Sequence, residues 1–398
     1  MAYTTARSVT IDNTKVSGSG DLTNFPMLFS GTYDGTDGEP DLRITGSGGD
    51  IQNEDTSGGA SAGASVPADF IFSSTDNLDG SGILDFEIVY WAKTTGQIVA
   101  YVEIPTLDFN DDTVIYIIYN DSGVTTTQED VAGTWIAAYK GVWHLAEYSD
   151  ASGAVTRYDS TTNGNDLTDN NTTASGTGKI FRGADFVAAN SEFLSKTDTA
   201  SLSITGDLSI IFWQALDILP STVGDQVVPV SKYLAANPKF EHRVRMLNTD
   251  KFRHWFASDA TDGVPAAWAT SDAVVFTGGD EGTFFHFAFS LDVSGQAYVL
   301  YKNGSSIASA GGTFGGTPTA IGDGTASFVL GASDEGAANF IDGILEEVRL
   351  YSGIIDADWV ATEYENQNSP STFYAVESGG AATALQDVIG SGIIPFER

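Results

Sequence analysis

The chain has 398 residues and sets 53 Asp and Glu against 18 Lys and Arg, a formal net charge of −35. It has no cysteine, which excludes a disulfide framework, a thiolate zinc site and a cysteine nucleophile. The acidic excess argues against nucleic acid as a partner, because phosphate recognition needs concentrated cationic charge. With 41% apolar residues and 7 Trp, 15 Tyr and 23 Phe, the chain has material for sizeable buried cores.

In chain order, the opening MAYTTARSVTIDNT alternates like a strand and lacks a basic segment followed by an apolar stretch, so a secretory leader is not expected. No apolar run approaches the roughly 20 residues that span a bilayer, and no membrane insertion is expected. Residues 46–66 are Gly- and Ser-rich and read as a long loop. Within it, Gly59 to Gly63 matches the nucleophile-elbow spacing but lacks the strand–turn–helix context that such a serine requires. Residues 83–91 (ILDFEIVYW) place Leu84, Phe86, Ile88 and Tyr90 on one face of a strand. Asp85 and Glu87 lie on the other face, read as solvated. Residues 97–105 repeat the pattern with Ile98, Ala100, Val102 and Ile104, and residues 113–120 (TVIYIIYN) are apolar on both faces, as in a central strand. The polar stretch 121–130 marks a domain boundary. Further on, Asn303-Gly304 sits between two alternating runs as a tight hairpin turn. One segment, 356–363 (DADWVATE), reads as a helix, with Asp356 as N-cap and Trp359 and Val360 on its apolar side.

The pattern throughout is short strands separated by Gly, Asn, Asp, Ser and Thr, so the fold class is all-β. Two β-sandwich domains in tandem are expected, at 1–125 and 131–365. The remaining 366–398 carries Ile389, Ile393, Ile394 and Phe396, too few for a core of its own. It reads either as a disordered end or as a C-terminal arm docking on a neighbouring subunit of a homo-oligomer.

Two resemblances follow from particular motifs. ARSVTIDNTKVSGSGDLTNFPMLFS, PDLRIT, LDFEIVYW, GQIVAYVEIPTL and DDTVIYIIYND, in that order over residues 6–125, resemble a β-domain of unknown function. That domain commonly precedes lectin-like domains in microbial envelope and viral proteins; residues 46–82 depart from it by being longer and Gly-rich. GVWHLAE, YDSTTNGND, FRGADFVAANSEFL, GDLSIIFWQAL, YVLYKNGSSI and GILEEVRLYSGIIDADWV, over residues 131–365, resemble the concanavalin A-like, laminin-G-like jelly roll. That fold hosts lectins, hydrolases and passive spacers, so the resemblance implies fold more than activity.

Three constellations could carry chemistry. Alternation through 343–350 puts Glu346 on a face with Ile344, Val348 and Leu350, where a carboxylate must be paired, protonated or metal-bound. The family's calcium site joins this strand to an Asp-rich loop. The resemblance therefore implies structural Ca²⁺ held by Asp159, Asn163, Asn165 and Glu346, although this chain has Glu346-Glu347 where the family usually has Asp-Glu; the alternative is a loop of Asx-turns without metal. Second, residues 239–255 (KFEHRVRMLNTDKFRHW) gather Lys239, Arg243, Arg245, Lys251 and Arg253 with His242, His254 and Trp255. This local inversion of charge reads either as an exposed hairpin offsetting surrounding acid, or as a contact for an anionic polysaccharide or an acidic neighbouring subunit. In the second reading Arg243, Arg245, Arg253 and Trp255 bind the ligand. Third, glycoside hydrolysis needs two carboxylates in a groove, and the Glu-x-Asp-x-x-Glu signature of hydrolases on this fold is absent. Trp143 and Trp213 read as core residues.

Together these features predict a non-enzymatic virion surface protein (a phage head decoration, fibre or tail adhesin) that contacts other virion proteins and binds host-surface glycans. A microbial cell-surface or secreted carbohydrate-binding adhesin is the alternative, and a polysaccharide-degrading enzyme the third reading.

Overall fold

The alternating runs form strands, and their apolar faces close on two separate interiors. The structure is a computed structural model describing residues 2–57, 65–234, 236, 240–258, 265–308, 312–315 and 317–378. The first interior lies between two antiparallel sheets. One runs Tyr374–Val376, Thr5–Ile11, Thr113–Tyr119, Phe70–Ser73; the other runs Leu22–Thr32, Gln97–Leu107, Phe86–Ala92. Ile98, Ala100, Val102 and Ile104 all face this interior, packed with Phe29, Phe72 and Phe86. The doubly apolar 113–119 run is flanked by strands on both sides.

The second interior is the larger. One of its sheets runs Thr168–Asn170, Phe193–Lys196, Phe328–Leu330, Val227–Tyr233, Phe240–Met246, Phe252–Ala257, Pro265–Thr270 and Thr313–Phe314. The facing sheet runs Ala174–Thr177, Arg182–Phe186, Gly343–Ser352, Leu208–Leu216, Phe285–Asp292, Ala297–Lys302 and Ser305–Ser306, with Tyr139–Trp143 paired to Gly343–Ser352. Sheet-on-sheet packing with Greek-key-like crossovers is the jelly-roll arrangement that the sequence implies. Trp143 is fully buried in this core, stacked 5.0 Å from Phe328. The Asn303-Gly304 turn has both residues at positive φ (50° and 76°), as a type I′ hairpin demands.

The helix is longer than its sequence signature: Ala357–Asn368, capped by Asp356, whose carboxylate accepts from the Trp359 N–H at 2.9 Å. It lies on the outer face of the second domain's sheet, where Val360 meets Ile211, Ala288 and Tyr301. Trp213 is buried here, beneath the helix rather than in the sandwich core, and donates to Gln367 Oε1 at 2.6 Å.

The segment after residue 365 folds back on its own chain. Asn366 pairs both ways with the backbone of Leu28, Tyr374 Oη bonds the backbone of Ser30, and Tyr374–Val376 adds a strand to the first domain's sheet. The Asn366 and Tyr374 bonds cover the edge strand Leu22–Thr32, and the added strand covers the edge of Thr5–Ile11. Residues 366–378 therefore dock on their own chain. Ile389, Ile393, Ile394 and Phe396 lie outside the described residues, as do Gly59 to Gly63.

The outer face of the Phe86–Ala92 strand is not solvated. The second domain covers it, and Glu87 is fully buried. A bulge after Ile88 also changes the alternation: Val89 and Tyr90 both join the interdomain contact, and Trp91 takes the inward position. Leu28, Val89, Val99 and Tyr101 meet Trp135, Tyr139, Val142 and Ala146 across this junction. Among them runs a buried polar network. Glu87 accepts from Trp135 Nε1 (2.6 Å) and Ser160 Oγ (2.6 Å) and lies 3.2 Å from His144 Nε2. His144 Nδ1 is 2.8 Å from Glu347, which pairs with Arg349, which in turn donates to Glu363 of the helix at 2.8 Å. Both domains and the helix thus share one set of charges.

Candidate functional site

Register decides where each candidate side chain goes. In the Gly343–Ser352 strand, Ile211 pairs with Arg349 but Trp213 pairs with Glu346, so two residues oppose Phe212. Glu347 sits in this bulge at φ 54°, the left-handed conformation that a G1-type bulge requires. The bulge breaks the alternation. Leu345, Val348 and Leu350 face the core, while Glu346 leaves the face of Val348 and Leu350 and points outward into the turn at 178–181. There its carboxylate accepts from the N–H groups of Lys179 (2.6 Å), Ile180 (3.0 Å) and Phe181 (2.8 Å). A Cβ at residue 178 would stand 2.5 Å from Glu346 Oε2, so a side chain larger than that of glycine there would push the carboxylate off these N–H groups.

Asp159 is occupied in a different place. Its oxygens accept from Val142 N, Thr161 N, Thr161 Oγ1 and Asn165 N at 2.8 to 3.0 Å. Asn165 donates to Lys140 O and Ser201 and accepts from Thr199, and Asn163 donates to Tyr139 O. These are Asx-turn and loop-fastening bonds. Every carboxylate oxygen that calcium would need already faces an N–H or O–H donor. Among the described residues no group of three or more His, Asp or Glu could hold a metal ion. The donor set of Asp159, Asn163, Asn165 and Glu346 does not fit Ca²⁺, because the bulge at Glu347 aims Glu346 at the 178–181 turn.

The Glu346–Glu347 pair has the signature of an acid–base couple. Burial, and then the neighbouring Glu347 charge, push Glu346 up to about 8, opposed by the three N–H bonds. Glu347 is held below the usual carboxylate range: burial acts against this, but His144 and Arg349 outweigh it. Divergent carboxyls of this kind serve catalysis only where substrate can reach them. Glu346 and Glu347 are 1% and 3% exposed, sealed by the first domain, the helix and the 178–181 turn, so the pair fastens the structure.

The cationic segment gives the opposite result. In the adjacent strands Phe240–Met246, Phe252–Ala257 and Pro265–Thr270, Val244, Met246, Phe252, Phe256, Ala267 and Ala269 face the core. Alternation then places Arg243, Arg245, Arg253, Trp255, Trp268 and Thr270 together on the outer face. Two cross-strand rows result: Arg243–Trp255–Trp268 and Arg245–Arg253–Thr270. Trp255 is 2% exposed, so it is not an open stacking platform. The Arg243 guanidinium lies 5.1 Å from its ring centre and 4.3 Å from that of Tyr233, which meets Trp255 edge-on. Trp268, which the sequence reading did not single out, is the half-buried indole of this face; a partner one strand away leaves no local signal. Arg245, Arg253, Trp255 and Trp268 line a depression of about 160 Å³.

His242 and His254 belong to the other side. Both rings point into the sandwich, 6.0 Å apart and fully buried. Burial pushes His254 down to about 3 and His242 well below its ordinary value, so neither adds charge to the face. Lys239 lies outside the described residues. Lys251 donates to Asp272 O at 2.7 Å.

The three arginines have neutral partners. Arg245 donates to Gln226 Oε1 (2.9 Å), Arg253 to Thr270 Oγ1 (2.8 Å) and Arg243 weakly to Ser333 Oγ (3.4 Å). Among the described residues none of them has a carboxylate oxygen within 4.0 Å. Burial, and then Arg243 and Arg253, pull Arg245 down to about 10.

Comparison with known proteins agrees with this architecture. Residues 188–361 match the laminin-G family described as the concanavalin A-like lectin/glucanases superfamily, and the second sandwich is a concanavalin A-like domain. The match covers less than half of the chain. Among solved structures, the binding domain of Paraclostridial Mosquitocidal Protein 1 is similar at 10% identity and TM-score 0.44, over 57% of this chain and 52% of that one, so the chain spans about half of its length. Domain 4 of an extracellular arabinanase from Geobacillus stearothermophilus, in complex with arabinotriose, is similar at 20% identity and TM-score 0.36, over 56% of this chain and 99% of that one. Trypanosoma rangeli sialidase is similar at 10% identity and TM-score 0.40, over 70% of this chain and 43% of that one. None of these likenesses carries an argument about activity. No curated protein matches the sequence.

Proposed function

We propose that this chain is a non-enzymatic surface protein of a virion, a head decoration, fibre or tail adhesin. Its concanavalin A-like domain binds host-surface glycans on the outer face of the Phe240–Met246, Phe252–Ala257 and Pro265–Thr270 strands. The observation that carries the binding role is this face itself: three guanidinium groups with unused donors beside a half-buried indole, on rigid strands, over a braced floor of Trp255 and Tyr233. Planar donors next to an aromatic ring can hydrogen-bond hydroxyls and pack against a sugar's C–H face. The virion half rests on the resemblance of residues 6–125 to a domain that accompanies lectin-like domains in viral and envelope proteins. Assembly as a homo-oligomer among other virion proteins belongs to the same reading.

The test is binding of the labelled full chain to a broad glycan array, with mass spectrometry of purified particles. Saturable binding to a related glycan set, and recovery of the chain in particles, are expected. Recovery only in a cell-envelope fraction would favour a microbial adhesin. Reducing-sugar release from polysaccharides would overturn the non-enzymatic assignment.

A further inference from the structure

We infer that the ligand of this face is an acidic glycan, whose sulfate ester or carboxylate sits between Arg245 and Arg253 while its ring rests against Trp268. The inference builds on the glycan-binding reading and adds the charge of the ligand. Arg245 and Arg253 are direct cross-strand partners, a placement in which like charges repel. Arg243 is two residues along the same face as Arg245, so three cations crowd one patch of a chain whose net charge is −35. Acidic side chains are abundant, yet among the described residues none comes within 4.0 Å of these guanidinium groups, and Asp334 acts on Arg243 only from farther away. Among the described residues, the Nε atoms of Arg243 and Arg245 are buried without a hydrogen-bond partner. The free protein therefore holds repulsion and unsatisfied donors in one place, on strands that fix them there. A planar or tetrahedral anion bridging the outward-facing guanidinium nitrogens of Arg245 and Arg253 would relieve the repulsion, since guanidinium groups match such oxygens in paired geometry. The depression, about 160 Å³ and so room for about five waters, suits a single charged sugar unit at its base. The adjoining Trp268 supplies the apolar contact that a sugar ring uses and a bare anion does not. Arg243, lying across Trp255 and Tyr233, acts as a positioning residue for the floor.

The experiment titrates the full chain with three oligosaccharide sets: neutral, sulfated, and unsulfated with uronate or sialate carboxylates. It uses low and raised salt and is repeated with Arg245→Gln, Arg253→Thr and Trp268→Ala. Binding to one or both acidic sets is expected, weakening as salt rises. Each arginine substitution should cost about ten- to a hundredfold in affinity. The two acidic sets distinguish sulfate from carboxylate. The melting temperature of Arg253→Thr should hold or rise, because removing one of two facing cations relieves repulsion, so lost binding would not reflect lost folding. Neutral glycans bound as tightly, with affinity untouched in the arginine variants, would overturn the acidic-ligand inference and leave glycan binding standing. No binding to any set would overturn both. A change in solution mass in the arginine variants, without change in glycan binding, would overturn the inference in favour of a contact between acidic copies of the chain.

Discussion

Replacing Glu87 with Gln tests the interdomain network at its most enclosed point. The side chain is fully buried, and its two oxygens meet Trp135 Nε1, Ser160 Oγ and His144 Nε2. Gln keeps the shape and one acceptor, and Ser160 can rotate to accept from the new amide, so the main loss is the charge facing His144. Burial alone would drive the His144 ring toward neutrality, but Glu347 and Glu87 outweigh it and push its pKa up to about 10. Removing one partner of a buried ion pair costs about 3–5 kcal/mol; with Glu347 still in place on Nδ1, about 3 kcal/mol is expected. The sign with pH follows from the raised value. The stabilisation is complete below the unfolded value near 6.5 and is lost as pH rises toward about 10. Glu87→Gln should therefore be destabilised near neutral pH and lose less further stability toward alkaline pH than the wild type does. Denaturant unfolding followed by tryptophan fluorescence and calorimetry reads both quantities. The variant should also separate the unfolding of the two domains, since Glu87 comes from one and His144 from the other. A loss below about 1 kcal/mol, with one unchanged transition, would refute the claim that this network couples the domains.

Three further outcomes are expected. Gln214 lies fully buried and neither amide atom has a hydrogen-bond partner among the described residues, so Gln214→Met should raise stability by about 1–2 kcal/mol, measured by denaturant unfolding. Asp159→Ala removes four hydrogen bonds, one that fastens the 159–166 loop to Val142 and three that hold the loop together, and should cost about 3 kcal/mol and increase hydrogen exchange at the Val142 and Asn165 amides. The melting temperature should be the same in millimolar calcium and in EDTA; a clear rise with calcium would show a site that the described side chains do not form.

Local pattern carried much of this protein. Alternation over 83–91 and 97–105 marked the strands that form at Phe86–Ala92 and Gln97–Leu107, the doubly apolar run 113–120 marked the central strand Thr113–Tyr119, Asn303-Gly304 marked a turn, and Asp356 marked the start of the helix. The charge inversion over 239–255 singled out Arg243, Arg245, Arg253 and Trp255, and the unshifted register between their two strands puts them on one face. Alternation failed where an extra residue is inserted. One residue at Val89 and one at Glu347 each reverse the faces beyond them, and a bulge depends on the partner strand, which lies far away in sequence.

Composition and alternation by themselves determined an all-β chain, its strong negative charge and the cationic exception within it. The tertiary structure decided the rest. Burial of Glu87 depends on a domain that begins some forty residues later, and the 366–376 segment finds its place on a sheet begun by Thr5–Ile11. Trp268 becomes part of the arginine face only through cross-strand pairing. In each case the deciding contact joins residues distant in the chain, and its energy comes from burial and pairing that no local window of sequence contains.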